Sequence, residues 1–227
     1  MEAIILAGGF GTRLQSVVKD LPKPMAPVAG RPFLAILMSH LRKKGVTRFI
    51  LSVGYKADKI QSAIGAVFEG VPVVYEVESI PLGTGGAIKA AMKHVSEDHV
   101  FVLNGDTYLD FDLLGAESLW QRLSIPLMVA RKVPDTFRYG ALSVKNHRII
   151  GFLEKGVSGP GFINGGCYLL PSTLFQAHAL PDSFSFETDF LPNFIQKNTL
   201  NAFVSEGYFI DIGVPEDYQR AQIELAR

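Results

Sequence analysis

The residues best suited to chemistry come early, in LAGGFGTRL, Leu6–Leu14. Gly8, Gly9 and Gly11 directly follow a strand-like apolar run, which lets backbone N–H groups come close to an anion. Thr12 adds a hydroxyl donor, and Arg13 a forked cation suited to phosphate oxygens. Ten residues past Arg13, Lys23 sits between Pro22 and Pro24 in LPKPM, and the two prolines lower the cost of ordering it. A glycine cluster after a strand suits a tight turn as readily as a phosphate loop. Two phosphate motifs fail on spacing. No Gly-Lys-Ser/Thr of a Walker A loop occurs, and Leu14 stands where the third glycine of GxGxxG belongs.

Carboxylates supply a second kind of chemistry. NGDT, Asn104–Thr107, follows the apolar run Val100–Leu103, and ligand sites of α/β sheets collect at the carboxyl ends of parallel strands. Asp106 there can ligate Mg²⁺, although an Asp at a strand end also serves as a turn or helix cap. Asp211 ends the run Tyr208–Ile210 and opens DIGVPEDY, again a strand terminus followed by glycine and a helical pattern. Asp110-Phe111-Asp112 is a competing metal pattern, but its place before Leu113 and Leu114 favours opening a helix. The five histidines lack metal-ligand spacing, and His94, His99 and His147 read as surface or turn residues.

Positioning these groups needs buried strands. Ala3–Leu6, Phe49–Val53, Val71–Val77 and Val100–Leu103 read as buried strands, too continuous in apolar residues for a half-exposed sheet. Between them, Phe33, Ile36, Leu37, His40 and Leu41 mark a helix that Gly45 stops. Ile60, Ile64 and Val67 mark a second, and Ile88, Ala91, Met92 and Val95 a third. Further strands are expected at Leu127–Val133, Ala141–Val144, Ile149–Leu153 and Phe162–Leu170. Helices are expected around Phe190–Ile195 and from Pro215. The pattern predicts an α/β, Rossmann-like, mostly parallel mixed sheet with helices on both faces and a small antiparallel insertion, in one domain over residues 1–227.

Composition agrees. Of 227 residues 48% are hydrophobic and 19% charged, enough for a sizeable core, while 22 basic and 22 acidic residues cancel. That balance argues against an extended nucleic-acid surface but leaves room for a small phosphate site. No apolar run reaches the roughly 18 residues of a membrane span, and the N-terminus lacks the basic region of a signal peptide. A lone cysteine, Cys167, rules out an intramolecular disulfide and reads as a small buried hydrophobe; a reducing cytoplasmic setting is expected.

LAGGFGTRL followed by LPKPM resembles the signature of the sugar-1-phosphate nucleotidyltransferases, which couple a nucleoside triphosphate to a sugar 1-phosphate and release pyrophosphate. The resemblance implies that Leu6, Ala7, Gly8, Gly9, Gly11 and Thr12 wrap the triphosphate, that Arg13 and Lys23 assist catalysis, and that Asp106 and Asp211 hold Mg²⁺. ESIPLGTGGAI, Glu78–Ile88, resembles the base-reading segment, which implies nucleotide contacts from Glu78, Gly83 and Thr84. Glu78 stands where thymidylyltransferases carry glutamine. A carboxylate is acceptor-only, so it receives N1–H and N2–H of guanine and repels O2 and O4 of uracil or thymine, which favours GTP. Tyr139-Gly140, Glu154-Lys155, Asn164 in INGGCYLL and Glu187 in FSFETDFLP follow the family's order for contacts to the sugar and its phosphate. Phe209, where many members have tryptophan before DIG, and INGGCYLL in place of NAGIY depart from the pattern.

Overall likeness is to the short branch without the left-handed helical acyltransferase domain, and within it to D-glycero-α-D-manno-heptose 1-phosphate guanylyltransferases of bacterial surface-polysaccharide (capsule) synthesis. Mannose 1-phosphate as acceptor, or uridylyl transfer, are the near alternatives, and a homodimer is compatible with the family. Two other classes stay open: a non-catalytic nucleotide-sugar sensor, which has no need of Arg13, Lys23, Asp106 and Asp211 together, and a metal-dependent glycosyltransferase using Asp110 and Asp112.

Overall fold

Alternation along the strands sends successive side chains to opposite faces of one sheet, and each face acquires its own core. The computed structural model describes residues 1–11, 14, 18 and 20–226. In chain order, β1 (Glu2–Leu6) leads through a small ribbon, β2 (Pro27–Val28) and β3 (Arg31–Pro32), into α1 (Phe33–Lys43). Then come β4 (Arg48–Val53), α2 (Ala57–Ile64), β5 (Val67–Phe68), β6 (Val71–Val77), α3 (Gly83–Ala91) and β7 (His99–Asn104). The second half holds β8 (Thr107–Leu109), α4 (Leu113–Leu123), β9 (Leu127–Val133), the hairpin β10 (Ala141–Lys145) and β11 (Arg148–Phe152), and β12 (Gly161–Pro171). A π-helical turn, Phe186–Phe190, runs into α5 (Leu191–Phe194), followed by β13 (Asn201–Ser205), β14 (Phe209–Asp211) and α6 (Pro215–Glu224).

Ten strands form one sheet in the order β10-β11-β13-β9-β12-β7-β1-β4-β6-β5. β1, β4, β6 and β7 are parallel, while β12 runs antiparallel to both β7 and β9. The antiparallel half therefore continues the main sheet rather than standing apart from it. On one face Ala3, Ile5, Phe49, Leu51, Phe101 and Leu103 pack with Leu37, Met38 and Leu41 of α1, Ile60 of α2 and Trp120 of α4. On the other, Ile4, Ile50, Val100 and Val102 meet Ile88 and Ala91 of α3 and the ring cluster Phe175, Phe184, Phe186 and Phe190. A third cluster, with Val28, Phe33, Ile210, Ile212, Tyr218 and Ala221, seats β14 and α6 against the start of α1.

Two expectations are corrected. Val67 leaves the second helix, because Gly65 takes a left-handed φ of 75° and Val67 pairs with Pro72 as a short strand. His99 is a buried strand residue, 6% exposed, with Nδ1 facing Asp98, Nε2 facing Glu117 of α4 and its ring stacked on Trp120. Cys167 is buried on β12 as expected. Among the described residues, no helix is long and apolar enough to cross a membrane.

Candidate active site

The carboxyl ends of β1, β6 and β7 open onto one cavity of about 410 Å³. β1 ends at Leu6 beside Ser52 on one neighbour and Asn104 on the other, and past that point the chains diverge. Leu6, Gly8, Gly9 and Gly11 line the cavity, whereas Ala7 is buried and donates its N–H to the Ser52 carbonyl at 2.7 Å. Gly8 has no room for a side chain, since a Cβ there would lie 2.6 Å from Glu78 Oε1. Gly11 has a φ of 60°, and its Cα side packs on the Lys23 stem, 2.6 Å from where a Cβ would sit. Thr12 and Arg13 lie outside the described residues.

Glu78, one residue past β6, faces this cavity and a second of about 200 Å³ lined by Phe10, Tyr55 and Ile80. Its Oε1 accepts from the Ser52 hydroxyl at 3.0 Å, and its Oε2 accepts from the Leu82 N–H at 3.2 Å. Each oxygen has one protein donor, so each keeps acceptor capacity for a ligand. Gly83 and Thr84 line the same wall at the start of α3.

Across the cavity stands a charge cluster. Lys23, with only 9% of its side chain exposed, is ion-paired to Asp106 and lies 3.5 Å from Asp211 Oδ1. Both aspartates sit on one ribbon: Asp106 immediately precedes β8, Asp211 ends β14, and Thr107 pairs with Asp211 across the strands. The Ile212 N–H donates to the Asp106 carbonyl and the Gly213 N–H to Asp211 Oδ1, at 3.0 and 2.7 Å. Burial, followed by the neighbouring Asp106 carboxylate, raises the Asp211 carboxyl above the usual range, against the pull of Lys23. Two carboxylates against one ammonium form a hard oxygen donor set, and Mg²⁺ is held by one or two carboxylates plus phosphate oxygens and water. Asp106 and Asp211 fit that ion. The described residues contain no cluster of three or more His, Cys, Asp or Glu side chains arranged to hold a metal. The competing Asp110-Asp112 pair is otherwise engaged. Asp112 caps α4 by accepting from the Gly115 N–H at 2.9 Å, and Asp110 pairs with Lys44 at 2.5 Å.

The residues expected along the sugar divide into two groups. Glu187 accepts from the Thr84 hydroxyl at 2.5 Å and from Tyr168 at 3.0 Å, and Tyr168 accepts from Asn164 Nδ2 at 2.6 Å. This chain joins the wall next to the nucleotide residues to a bulge in β12, between Asn164 and Tyr168. Burial pushes the fully enclosed Tyr168 hydroxyl far above its ordinary pKa, so it stays protonated as a donor. Tyr139 lies nearby, its ring edge-on to Phe209 at 6.0 Å between centroids, with Gly140 beside it against the Leu153 carbonyl. Glu187 reaches the cavity wall only through its bond to Thr84, and Tyr139, Gly140 and Asn164 lie outside the cavity's lining; Glu154 and Lys155 are exposed in the turn after β11. Sequence reasoning missed Ser52, Asn104 and Tyr168. Asn104 had a usable signal in its place at a parallel strand's carboxyl end, and Ser52 in being the polar residue of an otherwise apolar buried run.

Comparison with known proteins shows the family. The sequence profile of the nucleotidyl transferase family matches residues 2–227. The chain belongs to that family. Its similarity to the D-glycero-alpha-D-manno-heptose 1-phosphate guanylyltransferase of Aneurinibacillus thermoaerophilus is 44% identity over 226 residues, spanning 99% of this chain and 98% of that one. The enzyme of the same name from Campylobacter jejuni is 44% identical over 219 residues, with 96% and 97% covered. HddC from Yersinia pseudotuberculosis, solved in complex with GMP-PN, superimposes with a TM-score of 0.86 at 43% identity, covering 97% of each chain. The nucleotidyl transferase fold accounts for the mixed sheet with helices on its faces.

Proposed function

We propose that this nucleotidyl transferase is a guanylyltransferase, which joins GMP from GTP to D-glycero-α-D-manno-heptose 1-phosphate. An oxygen of the sugar phosphate attacks the α-phosphorus in line, the bond to the β-phosphate oxygen breaks, and pyrophosphate leaves with that electron pair. The products are GDP-heptose and pyrophosphate. Glu78 carries the base assignment, because its two oxygens are each held by one protein donor and each keeps capacity for N1–H and N2–H of guanine. Heptose is favoured by the 44% identity to two heptose 1-phosphate guanylyltransferases over nearly their whole lengths.

Gly8, Gly9, Gly11 and Lys23 line the cavity, where backbone comes close to the phosphates and Lys23 meets their charge; Arg13 is given the same task by the signature it belongs to. Asp106 and Asp211 would hold Mg²⁺, which when bound neutralises the triphosphate and the pyrophosphate that leaves. Glu187, held by Thr84 and Tyr168, and Asn164 present oxygens and nitrogens to sugar hydroxyls. No covalent nucleophile is required; orientation and charge stabilisation suffice for this phosphoryl chemistry. GTP and sugar phosphates are cytoplasmic metabolites, and we assign the protein to the cytoplasm.

The test is pyrophosphate release from purified protein given each nucleoside triphosphate, Mg²⁺ and a panel of sugar 1-phosphates. Release is expected with GTP and the heptose 1-phosphate. No release from any pair refutes the reading, release with UTP alone refutes the use of Glu78, and preference for mannose 1-phosphate refutes the sugar.

A further inference from the structure

Asp217, in the first turn of α6 and six residues past Asp211, is only 3% exposed yet carries a full carboxylate between two arginines. Its Oδ1 accepts from Arg220 Nη1 at 2.9 Å and its Oδ2 from Arg138 Nη2 at 2.6 Å. Arg220 lies on the same helix, so that bond ties α6 only to itself. Arg138 comes from a different part of the fold, immediately before Tyr139-Gly140. Its loop is sewn to the segment after β11: Asp135 Oδ1 accepts from the Phe137 and Gly159 N–H groups at 3.1 and 3.0 Å, and the Thr136 hydroxyl donates to the Val157 carbonyl at 2.7 Å. Loop, hairpin and the turn holding Glu154 and Lys155 thus form one lobe. The hairpin is anchored in the main sheet through β10 with β12 and β11 with β13, and among the described residues the loop before it meets the β14–α6 segment that bears Asp211 through the Arg138–Asp217 pair and the edge-on packing of Tyr139 on Phe209.

We propose that Arg138 and Asp217 form a latch that sets the distance between this lobe and Asp211, so that both are positioning residues for the sugar phosphate without touching it. The proposal rests on the guanylyltransferase reading above. Half of the Arg138 side chain is exposed, and Asp217 keeps Arg220 as partner when Arg138 is removed, so R138Q leaves no buried charge unpaired and should fold. In D217N one of the two oxygens becomes an NH₂ group facing an arginine, while Arg220 keeps Glu224 as a partner, so that variant is a less clean test.

The experiment compares R138Q, R138K and R220Q with the wild type by steady-state kinetics and by hydrogen exchange over residues 134–160. R138Q should raise KM for the heptose 1-phosphate roughly tenfold and leave KM for GTP within about twofold, as loss of orientation at one substrate would. R138K, which keeps charge and donor, should recover most of the loss, and R220Q should match the wild type. Exchange over 134–160 should quicken in R138Q and not in R220Q. Equal effects of R138Q and R220Q, equal change in both KM values, or unchanged exchange in R138Q each overturn the latch. Failure of the wild type to use GTP with any sugar 1-phosphate overturns the guanylyltransferase reading instead, and the exchange measurement still judges the latch.

Discussion

Replacing Glu78 by glutamine isolates the base assignment, because the surroundings dictate how the new amide must sit. The Leu82 N–H, 3.2 Å from Oε2, can only donate, so the amide oxygen must face it. The amide nitrogen then points to Ser52, whose hydroxyl, 3.0 Å from Oε1, can rotate to accept. Both protein bonds survive, and thermal stability should change little. The change falls on the ligand side, where one oxygen that faced a guanine N–H is now an NH₂ group. Losing one charge-assisted hydrogen bond costs about 1.5–3 kcal/mol, which at about 1.4 kcal/mol per decade is a roughly 10- to 150-fold fall in kcat/KM for GTP. The assay is kcat/KM for GTP and for UTP at a fixed, saturating level of sugar 1-phosphate. GTP efficiency should fall and UTP efficiency rise or hold, because an amide donor suits a pyrimidine carbonyl. An E78Q enzyme with GTP efficiency within about twofold of the wild type refutes base reading by this carboxylate.

Four further outcomes are expected. D106N and D211N should each abolish most turnover while the protein stays folded; a more damaging D110N would refute the metal assignment. The Asp211 carboxyl is raised by burial and by Asp106, so the folded ligand-free protein holds this proton more tightly than the unfolded chain, and the group's contribution to stability is lost as pH rises from the ordinary aspartate range through the folded value. Thermal melts of ligand-free D211N at neutral pH should therefore lie above wild type, and a lower melting temperature refutes that balance. D112A removes the α4 cap, which should cost about 1 kcal/mol, or about 2–4 °C in melting temperature, with kcat unchanged if Asp112 holds no metal. Burial pushes the Cys167 thiol far above its ordinary value, so an alkylating reagent should label it only in denaturant, as intact-mass measurement would show.

What the sequence discloses is what lies within a few residues. Continuous apolar runs placed β1, β4, β6 and β7, because a strand covered on both faces has little choice of composition. Asp106 and Asp211 were legible as carboxylates at strand ends, and Lys23 through its flanking prolines. Ser52 stood out only as a polar residue in an apolar run; its reason for being polar is Glu78, 26 residues away and just past the end of the neighbouring strand. Tyr168 was likewise hidden, as its partner Glu187 arrives through a separate turn, and His99 was misplaced because its acceptor Glu117 sits on α4. Lys155 was proposed from its place in the family's order; it is exposed in the turn after β11, on a segment that also meets the fold through the Arg138–Asp217 pair, 79 residues apart.

Equal numbers of acidic and basic residues hide a deliberate local arrangement. A lysine that is only 9% exposed is costly unless paired, and Lys23 is paired twice, to Asp106 and Asp211. Without substrate the three side chains satisfy one another, with one negative charge in excess. A triphosphate entering past Gly8–Gly11 brings several more negative charges toward the same ammonium. Lys23 can answer them only by loosening its hold on the aspartates, and two adjacent carboxylates stripped of their lysine repel one another strongly enough to demand a cation. Nucleotide and divalent ion should therefore bind with positive coupling: GTP should tighten Mg²⁺ binding and Mg²⁺ should tighten GTP by the same factor. In K23Q the aspartates lose their lysine in the free enzyme as well. Calorimetric titrations of that variant should show tighter Mg²⁺ binding without nucleotide and a smaller coupling factor, and a coupling equal to the wild type's would remove Lys23 from the exchange.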